Sequence, residues 1–559
     1  MKRLFSIILL IFTLLRINAQ SSSYTYPKRE VRAVWLTTIG GLDWPHNYAQ
    51  SVLSIQKQQE ELKSILDMYQ HAGINTILLQ TRIRGTVIYP SRYEPWDSCL
   101  SGIPGKSPNY DALQFAIDET HKRGMELHVW IVTIPIGKWN SLGCKNLRSR
   151  APSLIKRINT DGFMNPENPQ TAQYLADICK EITDNYDIDG IHLDYIRYPE
   201  IWNTKVASNK GRQYITNIVQ KIHDQVKAEK PWVKMSCSPI GKYDDLSRYS
   251  SYGWNAYTKV YQDAQGWLRK GLMDELFPMM YFKGNHFFPF AIDWAEQKYK
   301  KIVAPGLGIY FMSPTEKNWD ISIIIQEMHV LRQYGLGHAY FRGRFFTDNT
   351  KGIYTFATEQ FDKYPALVPA MTWEHALPPP APIKIYFDQS TSTLHWSCVT
   401  ATSHSPYLLY NVYASSTYPV DINDVRNLIA SRIQQPYINI KRNYKKNFYY
   451  AVTAMDRYGN ESSATQIYTR KQAINTQNTQ PEIPMLICDG HHLILPITLR
   501  YTDVQYFAIE TLIGNLIFTC HPQGTVINVN HIPCGIYILR TLNRKGVSHS
   551  LGYFRIQRK

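Results

Sequence analysis

The 559-residue sequence lacks several features that would assign it to a class at once. Its eight cysteines include no Cys-x-x-Cys pair, which argues against a structural zinc site. No apolar run beyond the first 20 residues is long enough for a transmembrane helix. Acids are scarce, with 45 Asp and Glu against 61 Lys and Arg and a net charge of +16. With 44% hydrophobic and 19% charged residues, the chain is predicted to be globular and basic.

The N-terminal segment MKRLFSIILLIFTLLRINAQ is typical of a secretory signal peptide. Lys2 and Arg3 precede an apolar run over 4–15, and cleavage is expected after Ala19, so that residues 1–19 are the signal. No cysteine follows the cut, which argues against a lipid anchor. We predict an exported protein in the periplasm, at the cell surface or outside the cell. Nucleic acid is then not an expected partner, and an anionic glycan or a charged cell surface fits the basic composition better.

Export permits disulfide bonds between the cysteines. Cys99 with Cys144 and Cys520 with Cys534 are candidate pairs that the sequence alone does not confirm.

Residues 25–370 alternate short apolar runs with helical patterns. Asp111 stands where a helix N-cap is expected, and Gly124 stands where the same helix would stop. Eight strand-then-helix units predict a (β/α)8 TIM barrel. A doubly wound open sheet is the alternative, but no glycine-rich phosphate loop follows the first run. The eight runs span residues 31–39, 75–83, 126–134, 190–196, 233–240, 275–282, 302–311 and 337–346.

Two β-rich segments follow the predicted barrel and a proline-rich linker over 371–383. Residues 384–470 resemble a fibronectin type III domain, with an early Trp396, the motif YNVY and the motif FYYAVTAMDRYGNES. Residues 484–559 contain GTVINVNHIPCGIYILRTLNRKG and resemble the C-terminal β-sandwich sorting domains of Bacteroidetes secreted proteins. The predicted fold is therefore a TIM barrel, a fibronectin type III-like β-sandwich and a small C-terminal β-domain.

The segment DIDGIHLDYIRYPE, residues 187–200, carries the strongest functional signal. Side chains alternate along a strand, so His192 and Asp194 share the face opposite Ile191 and Leu193 and point into the barrel. TIM-barrel enzymes place their reacting groups at the C-terminal ends of the strands. A buried carboxylate there is costly unless it is paired. We therefore predict that Asp194 is catalytic.

A structural ion pair of Asp194 with Arg82 or Arg197 is the alternative interpretation. Asp189 lies at the other end of the same strand, and we predict a structural role for it.

Polar and aromatic residues fall near the same mouth in the other strands. Each one alone is more typical of packing, but their convergence predicts an aromatic-lined cleft in which sugar rings stack. The substrate-binding candidates are Trp35, Gln80, Arg82, His128, Trp130, His192, Arg197, Tyr281, Tyr310 and Arg342.

Several long motifs resemble the glycoside hydrolase-like ten family of exported bacterial TIM-barrel proteins. They are EVRAVWLTTI with GLDWP, QTRIRGTVIYPSRYEPWDSCLSG, HKRGMELHVWI, FMNPENPQ, YDIDGIHLDYIRYP, SCSPIGKY and GLMDELFPMMYF. The resemblance covers nearly the whole barrel and implies a glycan hydrolase, without naming a substrate. Val132-Thr133-Ile134-Pro135 stands where that family commonly has Asn-Pro.

Glycosidases usually need two carboxyl groups. Asp194 is the predicted first, and the candidates for the second are Glu94, Asp97, Asp43 and Glu200, with Asp244 and Asp245 also on an active-face loop.

The run DGIHLDYI further resembles the fourth-strand motif of family eighteen chitinases, as FPMMYF resembles their Met-x-Tyr strand. His192 and Ile196 replace the middle aspartate and the glutamate acid of that motif, so the chitinase mechanism does not transfer residue by residue. Asp194 as general acid, or a substrate N-acetyl group as nucleophile, are the two hypotheses that remain.

The leading prediction is an exported glycoside hydrolase that cleaves a polysaccharide, one with amino sugars being a candidate, and needs no cofactor or metal. The alternative is a non-catalytic glycan-binding surface protein. A metal-dependent hydrolase built on His128, His192 and Asp194 is a third interpretation, which no His-x-His or His-x3-His spacing supports.

Overall fold

The computed structural model describes residues 26–397, 404–440, 448–467, 486–495, 504–511, 515–522, 524, 526–543 and 548–558. The predicted signal peptide lies outside these residues. The chain divides into two compact units, one ending at Gln466 and one beginning at Ile467. No helix within the described ranges combines the length and the apolarity needed to cross a membrane.

Eight parallel strands close into the predicted barrel. Each strand pairs with the next, and the first also pairs with the eighth, which completes the ring. The seventh strand consists of two short pieces, of which one pairs with the sixth strand and the other with the eighth. The strands are β1 Arg32–Leu36, β2 Thr76–Arg82, β3 Glu126–Val132, β4 Gly190–Asp194, β5 Lys234–Cys237, β6 Glu275–Leu276, β7 Ile302–Val303 with Gly306–Leu307, and β8 His338–Tyr340.

Helices between the strands form the outer layer, as the helical patterns predict. The Asp111 side chain accepts a hydrogen bond from Gln114 N, and Gly124 has the left-handed φ of 72°, so both predicted ends of that helix are confirmed. The principal helices are α1 Val52–His71, α2 Ala112–Lys122, α3 Pro169–Asn185, α4 Ser208–Glu229, α5 Ala264–Arg269, α6 Phe288–Glu296, α7 Ile321–Gln333 and α8 Gly343–Thr347.

The last predicted strand run, 337–346, is shorter than expected. It ends at Tyr340, and α8 occupies its second half. The reason lies in the loop after β1, where the Asp43 carboxylate accepts a 2.9 Å hydrogen bond from Arg344 N in the first turn of α8. An anion at this position favours the start of a helix.

A small subdomain interrupts the barrel after β3. It contains three antiparallel strands, Pro135–Lys138, Ile155–Ile158 and Asp161–Met164, and the helix Leu142–Arg150. Because it follows the C-terminal end of β3, this β3 insertion, residues 135–164, lies on the face where TIM barrels carry their active sites.

Antiparallel sheets follow the barrel, as predicted. One sheet has three strands and the other has four, and Trp396 is buried between them against Tyr410. The assignment to the fibronectin type III class stays a prediction. The strands are β9 Ile385–Asp388, β10 Thr393–Trp396, β11 Leu409–Ser415, β12 Leu428–Ile433, β13 Tyr437–Asn439, β14 Tyr449–Met455 and β15 Thr465–Ile467.

Two arginines of this β-domain reach the floor of the barrel. Arg432 Nη1 lies 3.0 Å from Glu126 Oε1, and its Nη2 lies 2.5 Å from Asp189 Oδ1. Arg457 Nη2 is 3.2 Å from the same Asp189 oxygen. Burial opposes ionisation of Glu126, but Lys234 and Arg432 outweigh it and lower the pKa of this carboxyl to about 2. The β-domain therefore supplies part of the positive charge that the acids of the barrel floor need, and barrel and β-domain form one compact unit.

The second unit is built from antiparallel strands around its own apolar core, which includes Leu493, Phe507, Leu539 and Phe554. Its four-stranded sheet is joined by a two-stranded one. The strands are His492–Ile494, Val504–Thr511, Leu516–Cys520, Val526–Asn528, Gly535–Asn543 and Ser548–Ile556.

Neither candidate disulfide is present. Cys99 and Cys144 are separate buried thiols, and Cys520 and Cys534 are also unpaired. The backbone N–H of Cys99 donates a hydrogen bond to the side chain of Asp97, whereas the thiol of Cys144 packs against Gly162. The two thiols therefore lie in different surroundings.

Candidate active site

Asp194 is the last residue of β4 and lies at the C-terminal end of the barrel. The strand ends there because Tyr195 adopts a left-handed backbone with a φ of 52°. Three donors hold the carboxylate. Ser238 Oγ and Tyr195 N each donate to Oδ1 at 2.8 Å, and Trp130 Nε1 donates to Oδ2 at 3.1 Å. The side chain is thus fixed in one orientation with the residue only 6% exposed.

Burial raises the pKa of Asp194 above its ordinary value. The Ser238 hydroxyl, the Arg197 charge and the other two donors act in the opposite direction but do not outweigh burial. A carboxyl group in this balance keeps its proton to higher pH than an exposed aspartate does. It is therefore suited to donate that proton to a leaving group.

The alternative ion pair of Asp194 with Arg82 is not formed. Arg82 is fully buried and binds Glu94 through two hydrogen bonds, 2.8 Å from Nε to Oε2 and 2.7 Å from Nη2 to Oε1. Its Nη1 donates to the carbonyls of Val132 and Thr133. Arg82 and Glu94 therefore tie β2 to the end of β3, and neither is free to bind substrate or to serve as the second carboxyl.

A bulge in β2 explains why the inward-and-outward alternation of side chains does not predict the position of Arg82. Gln80 pairs with Trp130, and Arg82 pairs with Ile131, so two steps along β2 match one step along β3. The extra residue removes Arg82 from the face on which alternation from Gln80 would place it. Gln80 itself accepts hydrogen bonds at Oε1 from Thr38 N and Ile39 N, and so it orders the loop after β1.

Two further candidates for the second carboxyl are engaged in the framework. Asp43 accepts from Thr37 N at 2.8 Å and pairs with Arg342, which joins the loops after β1 and β8. The Arg342 guanidinium is thereby engaged in an ion pair that connects these two loops. Asp97 caps the short helix Ser98–Ser101 by accepting from Cys99 N.

Glu200 differs from these acids because its side chain is 45% exposed. It pairs with Arg197 Nη1 at 2.6 Å, and Arg197 in turn stacks on the Tyr195 ring at 4.3 Å. Through this guanidinium, Glu200 is connected to the neighbourhood of Asp194. Asp244 and Asp245 lie in the loop after β5, where Asp245 holds Gly253 N.

Aromatic rings surround the mouth beside Asp194. Tyr281 stacks on Phe341 with ring centres 5.1 Å apart, and Tyr310 meets both rings edge-on. Trp35 packs beneath Phe341 at 5.7 Å. The Tyr281 hydroxyl is buried and has no hydrogen-bond partner in the described part of the chain. Burial raises its pKa well above the ordinary value, and the charges of Tyr310 and Asp194 act in the same direction. A buried hydroxyl without a partner is costly, and a ligand would satisfy it.

His128 and His192 are fully buried, each as the third residue of its strand. That they contact substrate stays a prediction. His192 lies between Trp35 Nε1 at 3.3 Å and Ser236 Oγ at 3.0 Å, and His128 Nε2 faces Glu126.

No group of three or more potential metal ligands is gathered anywhere in the described ranges. In these ranges, His128, His192 and Asp194 are therefore not gathered into a set of metal ligands.

Sequence reasoning missed Ser238 and Phe341. Ser238 follows β5 with the same parity as Ser236, so alternation could have placed it beside Asp194. Phe341 follows directly after the end of β8, inside the apolar run predicted to be strand, so alternation along that run gave no indication of its position.

The chain is similar to several known proteins. Glycosyl hydrolase YngK of Bacillus subtilis is 28% identical over 496 residues, which cover 81% of this chain and 94% of that protein. Glycosyl hydrolase DigH of Escherichia coli is 28% identical over 287 residues, which cover 45% of this chain and 65% of that protein. Among solved structures, the glycoside hydrolase domain of PgaB (BpsB) from Bordetella bronchiseptica aligns at 12% identity and a TM-score of 0.41 over 59% of this chain and 98% of that one.

The family model for glycosyl hydrolase-like 10 matches residues 30–214 and 204–317, which together make up more than half of the chain. This match confirms the family predicted from the motifs and supports the enzymatic interpretation over the binding-only alternative. The chain belongs to the glycosyl hydrolase-like 10 family and is a glycoside hydrolase.

Proposed function

We propose that the protein is exported and hydrolyses glycosidic bonds in a polysaccharide, with Asp194 as the general acid. One observation carries the proposal: the carboxyl group of Asp194 is fixed at the C-terminal end of β4 and has a pKa raised by burial. The acid of a glycosidase must be protonated before it meets the glycosidic oxygen, and burial is the usual means of raising its pKa.

In the proposed reaction, the Asp194 proton passes to the glycosidic oxygen as the bond to the anomeric carbon breaks. The sugar ring then carries positive charge, which a nucleophile or an activated water quenches. The Tyr281 hydroxyl is available to hydrogen-bond the sugar at this stage, since it is buried without a protein partner in the described residues. The neighbouring rings of Tyr310 and Phe341 offer faces on which the ring can pack.

Two groups could complete the reaction. Glu200 is the more exposed carboxylate, and Arg197 links it to the Asp194 region. In the amino-sugar form of the proposal, the substrate's own N-acetyl group attacks instead, and no second protein carboxylate is needed. The engagement of Glu94, Asp43 and Asp97 elsewhere supports the amino-sugar form.

The test is release of reducing ends from a panel of glycans, peptidoglycan included, by the wild-type chain, Asp194→Asn and Glu200→Gln. Glu60→Gln, at an exposed position of helix α1, is the control. We expect turnover to be lost in Asp194→Asn, with thermal unfolding unchanged, and kept in the control. Retained activity in a folded Asp194→Asn protein would reject the assignment. Loss in Glu200→Gln identifies the second carboxyl, whereas retention there favours the N-acetyl group.

A further inference from the structure

The β3 insertion is strongly cationic. Its residues 135–164 contain six Lys and Arg residues and one acid, Asp161. Lys138 pairs with this Asp161 at 3.1 Å, and Lys156 pairs with Glu167, beyond the insertion, at 2.8 Å. The remaining four cations have no carboxylate partner among the residues that the structure describes. The four are Lys145, Arg148, Arg150 and Arg157.

Two of these arginines are ordered by the same ring. The Arg148 guanidinium lies 4.1 Å from the centre of Trp139, and the Arg157 guanidinium lies 5.4 Å from it. Arg148 Nη1 also donates a 2.8 Å hydrogen bond to Trp139 O, and Arg157 Nε donates to Asn159 O at 3.1 Å. Each guanidinium keeps further N–H groups for a ligand, in a plane fixed by stacking.

Arg84 connects this cluster to the active-site mouth. It follows β2 and packs against Gly137, where an added Cβ would come within 3.4 Å of Arg84 Cβ. Burial raises the pKa of Tyr195, and the charge of Arg84 acts against that rise, so Arg84 is electrostatically close to the neighbour of Asp194. Arg84 also forms no ion pair within the described ranges. Arginines without a carboxylate partner in the described residues therefore lie both near Tyr195, the neighbour of Asp194, and at Trp139.

We propose that Arg148 and Arg157, stacked on Trp139, together with Arg84 beside Gly137, form a subsite for a carboxylate-bearing sugar of the polysaccharide. A planar guanidinium matches a carboxylate with two parallel hydrogen bonds, and stacking on an aromatic ring sets its orientation in advance. The subsite rests on the proposed function in one respect, since it requires the glycan to lie across the C-terminal face of the barrel.

The test measures binding rather than turnover. The full chain carrying Asp194→Asn is run by native affinity electrophoresis through gels containing hyaluronan or polygalacturonate, and through gels containing the carboxyl-reduced form of each polymer. The same protein with Arg148→Gln and Arg157→Gln added is compared with a control carrying Arg269→Gln and Lys270→Gln. Arg269 and Lys270 are two exposed cations at the end of α5, away from the active face.

We expect at least one acidic polymer to bind about tenfold more tightly than its reduced form. The Arg148 and Arg157 changes should abolish that preference, and the control should keep it. Equal losses in both variants would mean that overall charge, not a built subsite, is responsible, and would overturn the proposal. No preference for the acidic polymers in the parent protein would also overturn it.

These outcomes are separable from failure of the proposed function. A wild-type chain that releases no reducing ends from the polysaccharides but binds acidic polymers through Arg148 and Arg157 would reject the proposed polysaccharide cleavage and keep the subsite. Turnover of neutral glycans, with no preference for acidic polymers in the binding experiment, would reject the subsite and keep the proposed function.

Discussion

Ser238 donates a 2.8 Å hydrogen bond to Asp194 Oδ1 across the ends of two neighbouring strands, β5 and β4. The bond stabilises the ionised carboxylate and so limits the rise in pKa that burial causes. Ser238 is thus a positioning residue that also sets the pH at which Asp194 gives up its proton.

Replacing Ser238 with alanine should move the pH profile of activity. The protonated acid is the active form, so activity is lost as pH rises through the pKa of Asp194. Without the hydrogen bond that pKa rises further, and the alkaline limb of kcat/KM should shift upward by about one pH unit. Ser236→Ala is the control, because its hydroxyl faces His192. An unshifted limb would show that Asp194 is not the titrating acid.

Replacing Tyr281 with phenylalanine should separate stability from activity. The hydroxyl is buried without a partner in the described residues, so its removal should leave the free energy of unfolding unchanged or raise it by up to about 1 kcal/mol. Loss of a hydrogen bond to the sugar should lower kcat/KM about 10- to 100-fold. Thermal unfolding and initial rates measure the two effects. Activity equal to wild type would mean that the hydroxyl does not meet the substrate.

Replacing Arg432 with leucine should destabilise the first unit by about 3–5 kcal/mol, because Glu126 and Asp189 lose a buried partner. Denaturant unfolding measures the loss. Arg426→Leu removes an exposed arginine that, in the described part of the chain, has an ion pair with nearby Asp424 alone, and should cost at most about 1 kcal/mol.

The deficit caused by Arg432→Leu should also depend on pH. The folded-state pKa of Glu126 is lowered to about 2, so its stabilisation is present at neutral pH and is lost as pH falls toward that value. An Arg432→Leu protein as stable as wild type at pH 7 would contradict the buried ion pair.

Replacing Glu275 with glutamine should remove a loss of stability that occurs as pH rises toward neutrality. Glu275 is fully buried, neither carboxyl oxygen has a hydrogen bond in the described residues, and burial raises its pKa to about 7. The unfolded chain releases this proton near pH 4.5, so wild-type stability should fall between about pH 4.5 and 7, by up to roughly 3 kcal/mol.

The glutamine variant should lack the part of this decline that Glu275 causes, and Glu60→Gln, at an exposed helix position, should retain it. Melting temperatures recorded from about pH 4 to 9 decide the matter, because that range covers both pKa values. Parallel curves for wild type and Glu275→Gln would show that Glu275 ionises normally.

The sequence allowed the barrel and the position of Asp194 to be predicted, because both follow from local patterns. Eight apolar runs indicate eight strands, and two-residue alternation places Asp194 inward at the end of β4. The same rule misplaced Arg82, since a bulge in β2 leaves no mark in the residue pattern. Alternation also could not predict that Glu94 pairs with Arg82, because this ion pair depends on how the loop after β2 folds back onto the strand.

The ties between distant parts of the chain were beyond prediction for a different reason. Arg432 and Glu126 are 306 positions apart, and nothing local in either segment indicates that one charge requires the other. The shortness of β8 had a similar origin, because Asp43, 301 positions before Arg344, provides the acceptor that starts α8.

The shared floor of the barrel has a consequence for the order of events at the ribosome. Glu126 and Asp189 are synthesised long before Arg432, from which 306 and 243 positions separate them. A nascent chain that has completed its eight strands already pairs Glu126 with Lys234 and Asp189 with His121, but it still lacks the arginine partners of both acids. We therefore expect the floor of the barrel to gain its full set of ion pairs only after the β-domain has emerged.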